Sequence, residues 1–191
     1  MKTTAREKLV TAAETLMLSR GYASTSVDEI CEAAGVSKGS FYHFFRTKED
    51  LGLAVLDAFQ ERNGGILAKG VKESGDPVDR SLALVDHLLD SAGTLWGNGC
   101  LLGSFALDLA ETNPTIRKAV SEKFRQVAAV LGEGLEPLGT EGEDGAELAE
   151  RFIVVVEGAL VLARAHDDWS YVERALERFR RDVRKSKGVA A

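Results

Sequence analysis

Apolar residues recur at helical spacing through nearly the whole chain, and no segment alternates apolar and polar residues in the manner of a half-buried strand. Only three prolines interrupt the 191 residues, so long helices are permitted almost everywhere. The sequence therefore predicts an all-α fold of about nine helices. The first helical face has apolar residues at i, i+3, i+4, i+7 and i+8, namely Leu9, Ala12, Ala13, Leu16 and Met17.

Helix start and stop signals divide the first 50 residues into three short helices and the beginning of a fourth. Gly21 and Gly35 each follow an apolar face, which is the usual place of a glycine that ends a helix. The fourth helix is expected to run toward Gly64 and Gly65. Side chains suited to capping precede the second, third and fourth helices at Ser26, Ser37 and Thr47.

The second and third helices are joined by a turn with the length and composition of a helix-turn-helix. The turn reads Ala-Gly-Val-Ser over residues 34–37, and Gly35 can adopt a left-handed conformation at little cost. A small core is expected to set the angle between these helices, so that the third helix is free to enter a DNA major groove. Its predicted members are Ile30, Ala33, Val36, Phe41 and Phe45.

The outward residues of the third helix can bind DNA. Lys38 can reach a phosphate or a guanine edge, and Tyr42 and His43 can donate hydrogen bonds to phosphates or bases. A glycine at 39 costs helix stability, and close approach of the backbone to DNA is a reason to keep it. An aromatic core helix is the alternative, but it leaves Tyr42 and His43 unexplained. The predicted DNA-contacting residues are Ser26, Ser37, Lys38, Gly39, Ser40, Tyr42, His43 and Lys48.

A long and specific signature occupies residues 35–51, which read GVSKGSFYHFFRTKEDL. This run strongly resembles the DNA-binding signature of the tetracycline-repressor (TetR) family, and the resemblance extends over about the first 55 residues. It implies a non-enzymatic regulator, by family default a repressor, that binds a palindromic operator as a homodimer. An effector in the larger domain would move the fourth helix and release the DNA. The implied division is a helix-turn-helix domain at 1–50 and an effector-binding and dimerisation domain at 51–191.

The charge distribution favours a nucleic-acid partner for the N-terminal segment. The whole chain has a formal net charge of −6, yet residues 1–48 contain seven basic and five acidic residues. The rest contains 17 basic and 25 acidic residues. A slightly basic head on an acidic body is one indication of nucleic-acid binding.

The segment Gly-Cys-Leu-Leu-Gly at residues 99–103 resembles a segment found in one branch of the TetR family. Some members of that branch respond to electrophiles or oxidants through this cysteine, and others bind small unsaturated acids or other ligands. A helix N-terminus can lower the pKa of a cysteine, and Cys100 precedes a predicted helix. The alternative is a small buried apolar residue. By family analogy, the candidate effector-binding residues are Phe59, Trp96, Cys100, Phe105 and Phe124.

The last two helices suggest a two-fold interface. The segment 148–163 is apolar nearly all round, so one side can face its own core and the other a partner. The final helix has a narrow apolar seam with a spacing typical of paired helices. The alternative is that both helices complete the core of a monomer. The predicted interface residues are Phe152, Val156, Trp169, Val172, Leu176 and Phe179.

Other classes of function find little support in the sequence. His43, His87 and His166 lie far apart, so no metal site is expected, and no nucleophile–base pairing or cofactor fingerprint is present. Two cysteines and no signal-peptide pattern predict a cytoplasmic chain with reduced thiols. Two rival functions are an enzyme or carrier with an idle N-terminal motif, and a regulator controlled by a protein partner rather than a ligand.

Overall fold

The computed structural model describes residues 3–70 and 75–189, which form helices and short connections with one isolated β-bridge between Thr140 and Glu143. The prediction of an all-α fold is confirmed. The described range contains ten α-helices and one short 3-10 helix, Glu136–Leu138: α1 (Ala5–Arg20), α2 (Val27–Ala34), α3 (Lys38–Phe44), α4 (Lys48–Gly70), α5 (Pro77–Asp90), α6 (Ala92–Trp96), α7 (Leu101–Leu109), α8 (Pro114–Leu135), α9 (Gly145–His166) and α10 (Ser170–Ser186).

The predicted helix caps are in place because their side-chain oxygens accept hydrogen bonds from amides of the first turn. Ser26 and Glu29 form a reciprocal capping box at the start of α2. Thr47 and Asp50 exchange two hydrogen bonds of 3.0 Å at the start of α4. Three further side-chain caps begin α3, α5 and α8, at Ser37, Asp76 and Asn113.

α4 differs from the sequence prediction. It continues through Gly64 and Gly65, because each glycine costs a helix only about 1 kcal/mol and the pair does not by itself end the helix. α5 and α6 are separated at Ser91. Its amide closes α5 on the His87 carbonyl, and its carbonyl accepts the Thr94 amide that begins α6. The connection between α8 and α9 contains the short 3-10 helix and the β-bridge.

The chain forms two compact units. The first consists of Met1–Arg62 and Asn98–Lys123, and the second of Asn63–Gly97 and Phe124–Ala191. The first unit therefore contains α7 and part of α4 and α8 in addition to the three helices of the predicted helix-turn-helix domain. This compact unit extends beyond residue 50, because α1 packs against α7 as well as against α2 and α3. The functional division at residue 50 stays a prediction.

The core of the second unit is built largely by α5, α9 and α10. The rings of Phe152 on α9 and Phe179 on α10 meet edge to face, with centroids 5.1 Å apart. At the end of α10, the Arg184 guanidinium donates to the Asp86 carboxylate of α5 at 2.7 Å. The Lys187 ammonium donates to the Gly139 carbonyl at 2.5 Å. Both polar contacts fix the final helix to its own chain.

This core also corrects the prediction for the interface residues. Five of the six are at most 3% exposed within a single chain, namely Phe152, Val156, Val172, Leu176 and Phe179. Trp169 is partly buried against the same cluster. A side chain enclosed by its own protomer presents no surface to a partner. For the five buried residues the alternative agrees with the structure, and the seam of α10 completes the core of the monomer. The place of Trp169 in an interface stays a prediction.

We expect Phe179→Ala to lower the free energy of unfolding by about 3–5 kcal/mol, because it removes a fully buried ring and leaves a cavity. The ring lies between Phe152 and the Arg151 guanidinium, whose carbon is 4.9 Å from the ring centroid. Chemical denaturation of both proteins measures the difference. Val130→Ala is the matched control, since Val130 is 54% exposed, and it should change the free energy by less than about 0.5 kcal/mol. A similar small change in Phe179→Ala would contradict the assignment to the core.

Candidate nucleic-acid interface

The turn between α2 and α3 has the backbone geometry that the sequence predicts. Gly35 lies in the left-handed region, with φ 62° and ψ 39°, and its amide binds the carbonyls of Cys31 and Glu32. Ile30 and Phe41 are fully buried and Phe45 is nearly so, which fixes α3 against α1 and α2. Ala33, predicted to join this core, is exposed instead, because the buried face of α2 carries Ile30 and Cys31.

The outer face of α3 is exposed and polar. Tyr42 is 54% exposed, and its neighbour His43 is exposed as well. Of the eight residues predicted to contact DNA, Ser40 and Lys48 are partly buried, and the exposed ones are Ser26, Ser37, Lys38, Gly39, Tyr42 and His43. The side chains of Ser26 and Ser37 also accept hydrogen bonds as helix caps.

Gly39 has no packing reason to be glycine. A Cβ atom at this position would come no closer than 3.9 Å to another group, the Ser37 hydroxyl. The backbone conformation is helical, so no positive φ requires glycine either. The fold itself therefore does not require a glycine at this position.

Lys38 is paired with an acid of the neighbouring helix. Its ammonium lies 2.7 Å from the Asp28 carboxylate of α2, and both side chains are exposed. The hydrogen bond to Asp28, together with its negative charge, raises the pKa of Lys38 above its usual range. Exposed pairs of this kind contribute little to stability. A phosphate can therefore take the place of the Asp28 carboxylate without a large loss of folding energy.

Lys48 has a role that sequence reasoning missed. Its ammonium donates to the backbone carbonyls of Tyr22 and Thr25, both at 2.9 Å, and lies 4.3 Å from the centroid of the Tyr22 ring. Burial lowers the pKa of Lys48. Two of its three N–H donors are thus used inside the protein, and one remains for a phosphate. No local pattern signals this role, because the carbonyls are 26 and 23 residues away in sequence.

Two arginines near α3 were also absent from the sequence prediction. The Arg6 guanidinium from the first turn of α1 lies 5.4 Å from the centroid of the Phe45 ring, just after the end of α3. Arg46 is the next residue along the chain and is exposed. Both cations are exposed and lie near the C-terminal end of α3. The position of Arg6 depends on the packing of α1 against α3, which no pattern in the sequence reports.

The predicted effector-binding residues are distributed over both compact units. Phe59, Cys100 and Phe105 belong to the first unit and are buried, and the Phe105 ring meets the Tyr22 ring at 5.4 Å. Trp96 and Phe124 belong to the second unit and are partly buried. The Trp96 ring lies 6.1 Å from Phe152, in the core of that unit.

The two cysteines occupy different positions. Cys100 is 8% exposed and is the N-cap residue of α7, preceded by Gly99 with φ 98°. A thiolate at a helix N-terminus is stabilised by the helix dipole. Cys31 lies within α2, where burial, with a smaller contribution from the Asp28 charge, raises the pKa of its thiol. Its environment therefore disfavours a thiolate.

In the part of the chain that the structure describes, no group of three or more His, Cys, Asp or Glu side chains is arranged to hold a metal ion. No helix there is both long and apolar enough to span a bilayer.

Comparison with known proteins connects this geometry to a family. Residues 9–55 match the family model described as bacterial regulatory proteins, tetR family. Residues 76–178 match the model described as transcriptional regulator LmrA/YxaF-like, C-terminal domain. The two matches together span the helix-turn-helix and most of the remaining helices.

Individual relatives agree with both matches. The HTH-type transcriptional repressor NemR of Escherichia coli strain K12 is 34% identical over 138 residues, which cover 69% of this chain and 67% of NemR. The transcriptional regulator AcuR of Cereibacter sphaeroides is 30% identical, over 84% of this chain and 76% of AcuR. The crystal structure of the reduced form of E. coli NemR matches with a TM-score of 0.76 and 27% identity, covering 92% of this chain and 95% of that one. The chain therefore belongs to the tetR family of bacterial regulatory proteins and is a helix-turn-helix transcriptional regulator.

Proposed function

We propose that the protein is a repressor that binds a palindromic operator as a homodimer and is released by a small-molecule effector. The exposed face of α3 is the observation that carries this proposal. It combines a cation at Lys38, hydrogen-bonding groups at Tyr42 and His43, and a glycine at 39 that the fold itself does not require. Operator binding also supports the prediction of a cytoplasmic location, because that is where a bacterial regulator meets its DNA.

The residues around α3 divide by the part of DNA that they reach. Tyr42 and His43 face outward from the recognition helix, where they meet base edges or phosphates. Arg6, Arg46 and the remaining donor of Lys48 flank α3 and are suited to phosphates, which orient the helix in the groove without reading the sequence. In a dimer, the two copies of α3 would lie about 34–36 Å apart, one turn of DNA.

An exposed apolar face of α9 is the surface that we assign to the second copy. Val154, Val161 and Leu162 are 64%, 58% and 47% exposed in the single chain. They lie on the side of α9 opposite the core residues Phe152 and Val156. Beside them, a groove of about 470 Å³ runs between α9 and α10. A face of this kind on a two-helix unit is typical of an isologous dimer contact, which a two-fold operator requires.

Cys100 is the residue that we propose as the effector site. In this proposal its thiolate attacks an electrophilic carbon, and an S–C bond forms. With an activated alkene, the adjacent carbon takes a proton from water and no group leaves. The position at the N-terminus of α7 favours the thiolate, and the relative NemR has been crystallised in a reduced form. The alternative, a structural thiol that only packs, agrees with its low exposure.

We expect Tyr42→Ala to weaken operator binding by about 5- to 150-fold, because loss of one contact to DNA typically costs about 1–3 kcal/mol. Binding at fixed salt is measured with DNA from around the gene, or with a site selected from a random pool. Lys38→Ala distinguishes two roles: a phosphate contact lowers the salt slope by about one, whereas a guanine contact relaxes specificity at one base pair. Val130→Ala should bind like the wild type. Unchanged binding by Tyr42→Ala would argue against recognition through α3.

For the dimer, we expect Val161→Asp to yield monomers, because it buries an unpaired carboxylate in the proposed contact. Sedimentation measures the mass of each protein in solution. Val130→Asp is the matched control, since Val130 is similarly exposed but lies on α8, and it should leave the dimer intact. A Val161→Asp protein that stays folded and dimeric would place the interface elsewhere.

For the effector, we expect N-ethylmaleimide to weaken operator binding of the wild type by about 5–150-fold, the usual range of coupling between two sites. Cys100→Ser should abolish this response, and Cys31→Ser should keep it, because burial raises the pKa of the Cys31 thiol and so disfavours its reaction. The ratio of the operator dissociation constants measured with and without N-ethylmaleimide gives the size of the effect. An unchanged response in Cys100→Ser would remove this cysteine from the mechanism. Release of DNA by a ligand that does not react with thiols would favour a structural role for Cys100. Release of DNA only by a protein partner would favour a regulator controlled by that partner.

A further inference from the structure

The connection between α1 and α2, residues 21–26, is held by helices that are distant in sequence, and we call it the α1–α2 junction. The Tyr22 amide donates to the Asp108 carboxylate of α7 at 2.8 Å. Gly21 has φ 87°, and a Cβ atom added there would lie 2.6 Å from an oxygen of the same carboxylate. The carboxylate thus occupies space that only a glycine leaves open.

α7 contacts the junction at a second point. The Phe105 ring, three residues before Asp108 and so on the same face of the helix, packs edge to face on the Tyr22 ring at 5.4 Å. Phe105 is 1% exposed. One face of α7 therefore holds both the ring and the backbone amide of Tyr22.

α4 holds the junction from the other side. Lys48, its first residue, binds the carbonyls of Tyr22 and Thr25, and the Thr25 hydroxyl donates to the Gly21 carbonyl at 2.8 Å. Tyr22 is therefore bonded to α7 through its N–H group and to α4 through its carbonyl. The first turn of α4 is also tied to the N-cap of α8, since the Asn113 amide donates to Glu49 at 2.7 Å.

The same face of α7 lies on the path from Cys100 to the DNA-binding helices. α7 has nine residues, so Asp108 is about 12 Å along the helix from Cys100. On the far side of the junction, Ser26 caps α2, and α3 follows after one turn. A short helix moves as one body, so a displacement at its first turn reaches Phe105 and Asp108, and from there the junction.

We infer that Asp108 is a positioning residue for regulation, which couples the state of Cys100 to the orientation of α2 and α3 through the Tyr22 amide. This inference rests on the proposed function, because it takes α3 as the DNA-binding helix. Asp108 touches neither DNA nor effector in this scheme. A purely structural role for the carboxylate predicts lost stability and no change in coupling.

Coupling between two sites is reciprocal at equilibrium, so if modification of Cys100 weakens DNA binding, DNA favours the unmodified form of the protein. We expect bound DNA, which in this scheme holds α7 in its unmodified position, to slow the alkylation of Cys100 as well. The probe is N-ethylmaleimide, and peptide mass spectrometry gives the alkylation rate at Cys100 with and without saturating operator DNA. For the wild type we expect DNA to slow the reaction at least about fivefold. For Asp108→Ala we expect a ratio below about two. Direct shielding of Cys100 by DNA would survive this substitution and would overturn the inference.

Two variants control for structure and charge. Asp108→Asn keeps an oxygen that can accept from the Tyr22 amide, so it should retain most of the wild-type ratio. Glu111→Ala removes a nearby exposed acid and should leave the ratio unchanged. Hydrogen exchange then tests the mechanism locally: Asp108→Ala should speed exchange in peptides covering 21–34 and leave peptides from α9 and α10 unaffected.

The outcomes separate this inference from the proposed function. Wild-type coupling in a folded, DNA-binding Asp108→Ala protein would overturn the inference and leave the proposed repressor intact. A wild-type ratio of one would overturn the inference and count against Cys100 as the effector site, while operator binding through α3 would stand. If Asp108→Ala does not fold, Asp108→Asn provides the test instead. An Asp108→Asn protein that loses the effect of DNA on Cys100 alkylation, while hydrogen exchange at residues 21–34 is unchanged, would also overturn the inference. Failure of the wild type to bind any selected DNA would overturn the proposed function itself.

Discussion

The backbone of Tyr22 is the point on which the arrangement of the first unit depends. Its amide is bonded to Asp108 of α7 and its carbonyl to Lys48 of α4, so one residue joins helices from three parts of the chain. The ring is buried as well, and this burial, with a smaller contribution from the charge of Glu49, raises the pKa of Tyr22 to about 12. Tyr22 therefore stays neutral near pH 7. The neutral Tyr22 ring attracts the Lys48 ammonium through its face. The contact therefore needs no second buried charge to balance the lysine.

The surface chemistry of the protein agrees with a regulator that meets DNA at one end. Basic residues gather around α3, whereas the chain as a whole has a net charge of −6. In the proposed complex, the acidic remainder of the chain would repel DNA and so disfavour non-specific contact away from the N-terminal helices. The pairing of Lys38 with Asp28 would act in the same sense, because DNA would have to displace the carboxylate before it contacts the lysine. Both features favour selective over indiscriminate binding.

The two apolar helices at the end of the chain show how a seam can be misread. The narrow stripe on α10 correctly predicts that the helix packs against another helix, but the other helix is α9 of the same chain. Spacing of 3 and 4 residues reports the geometry of a contact, and this geometry is the same within a chain and between chains. α9 has more apolar residues than one buried face needs. The exposed ones, Val154, Val161 and Leu162, are the residues that indicate a contact outside the chain.

The sequence by itself determined the features that depend on residues a few positions apart. The caps at Ser26, Ser37 and Thr47 and the left-handed Gly35 follow from hydrogen bonds and backbone freedom within one helical turn, and so does the exposed face of α3. Only the tertiary structure decided which distant groups meet. Three such contacts join residues that are 23 to 86 positions apart in sequence. They are the hydrogen bond from Lys48 to Thr25, the packing of Arg6 on Phe45 and the hydrogen bond from Tyr22 to Asp108. Such contacts are set by how whole helices pack, and helix packing depends on the summed fit of many side chains, which no local pattern records.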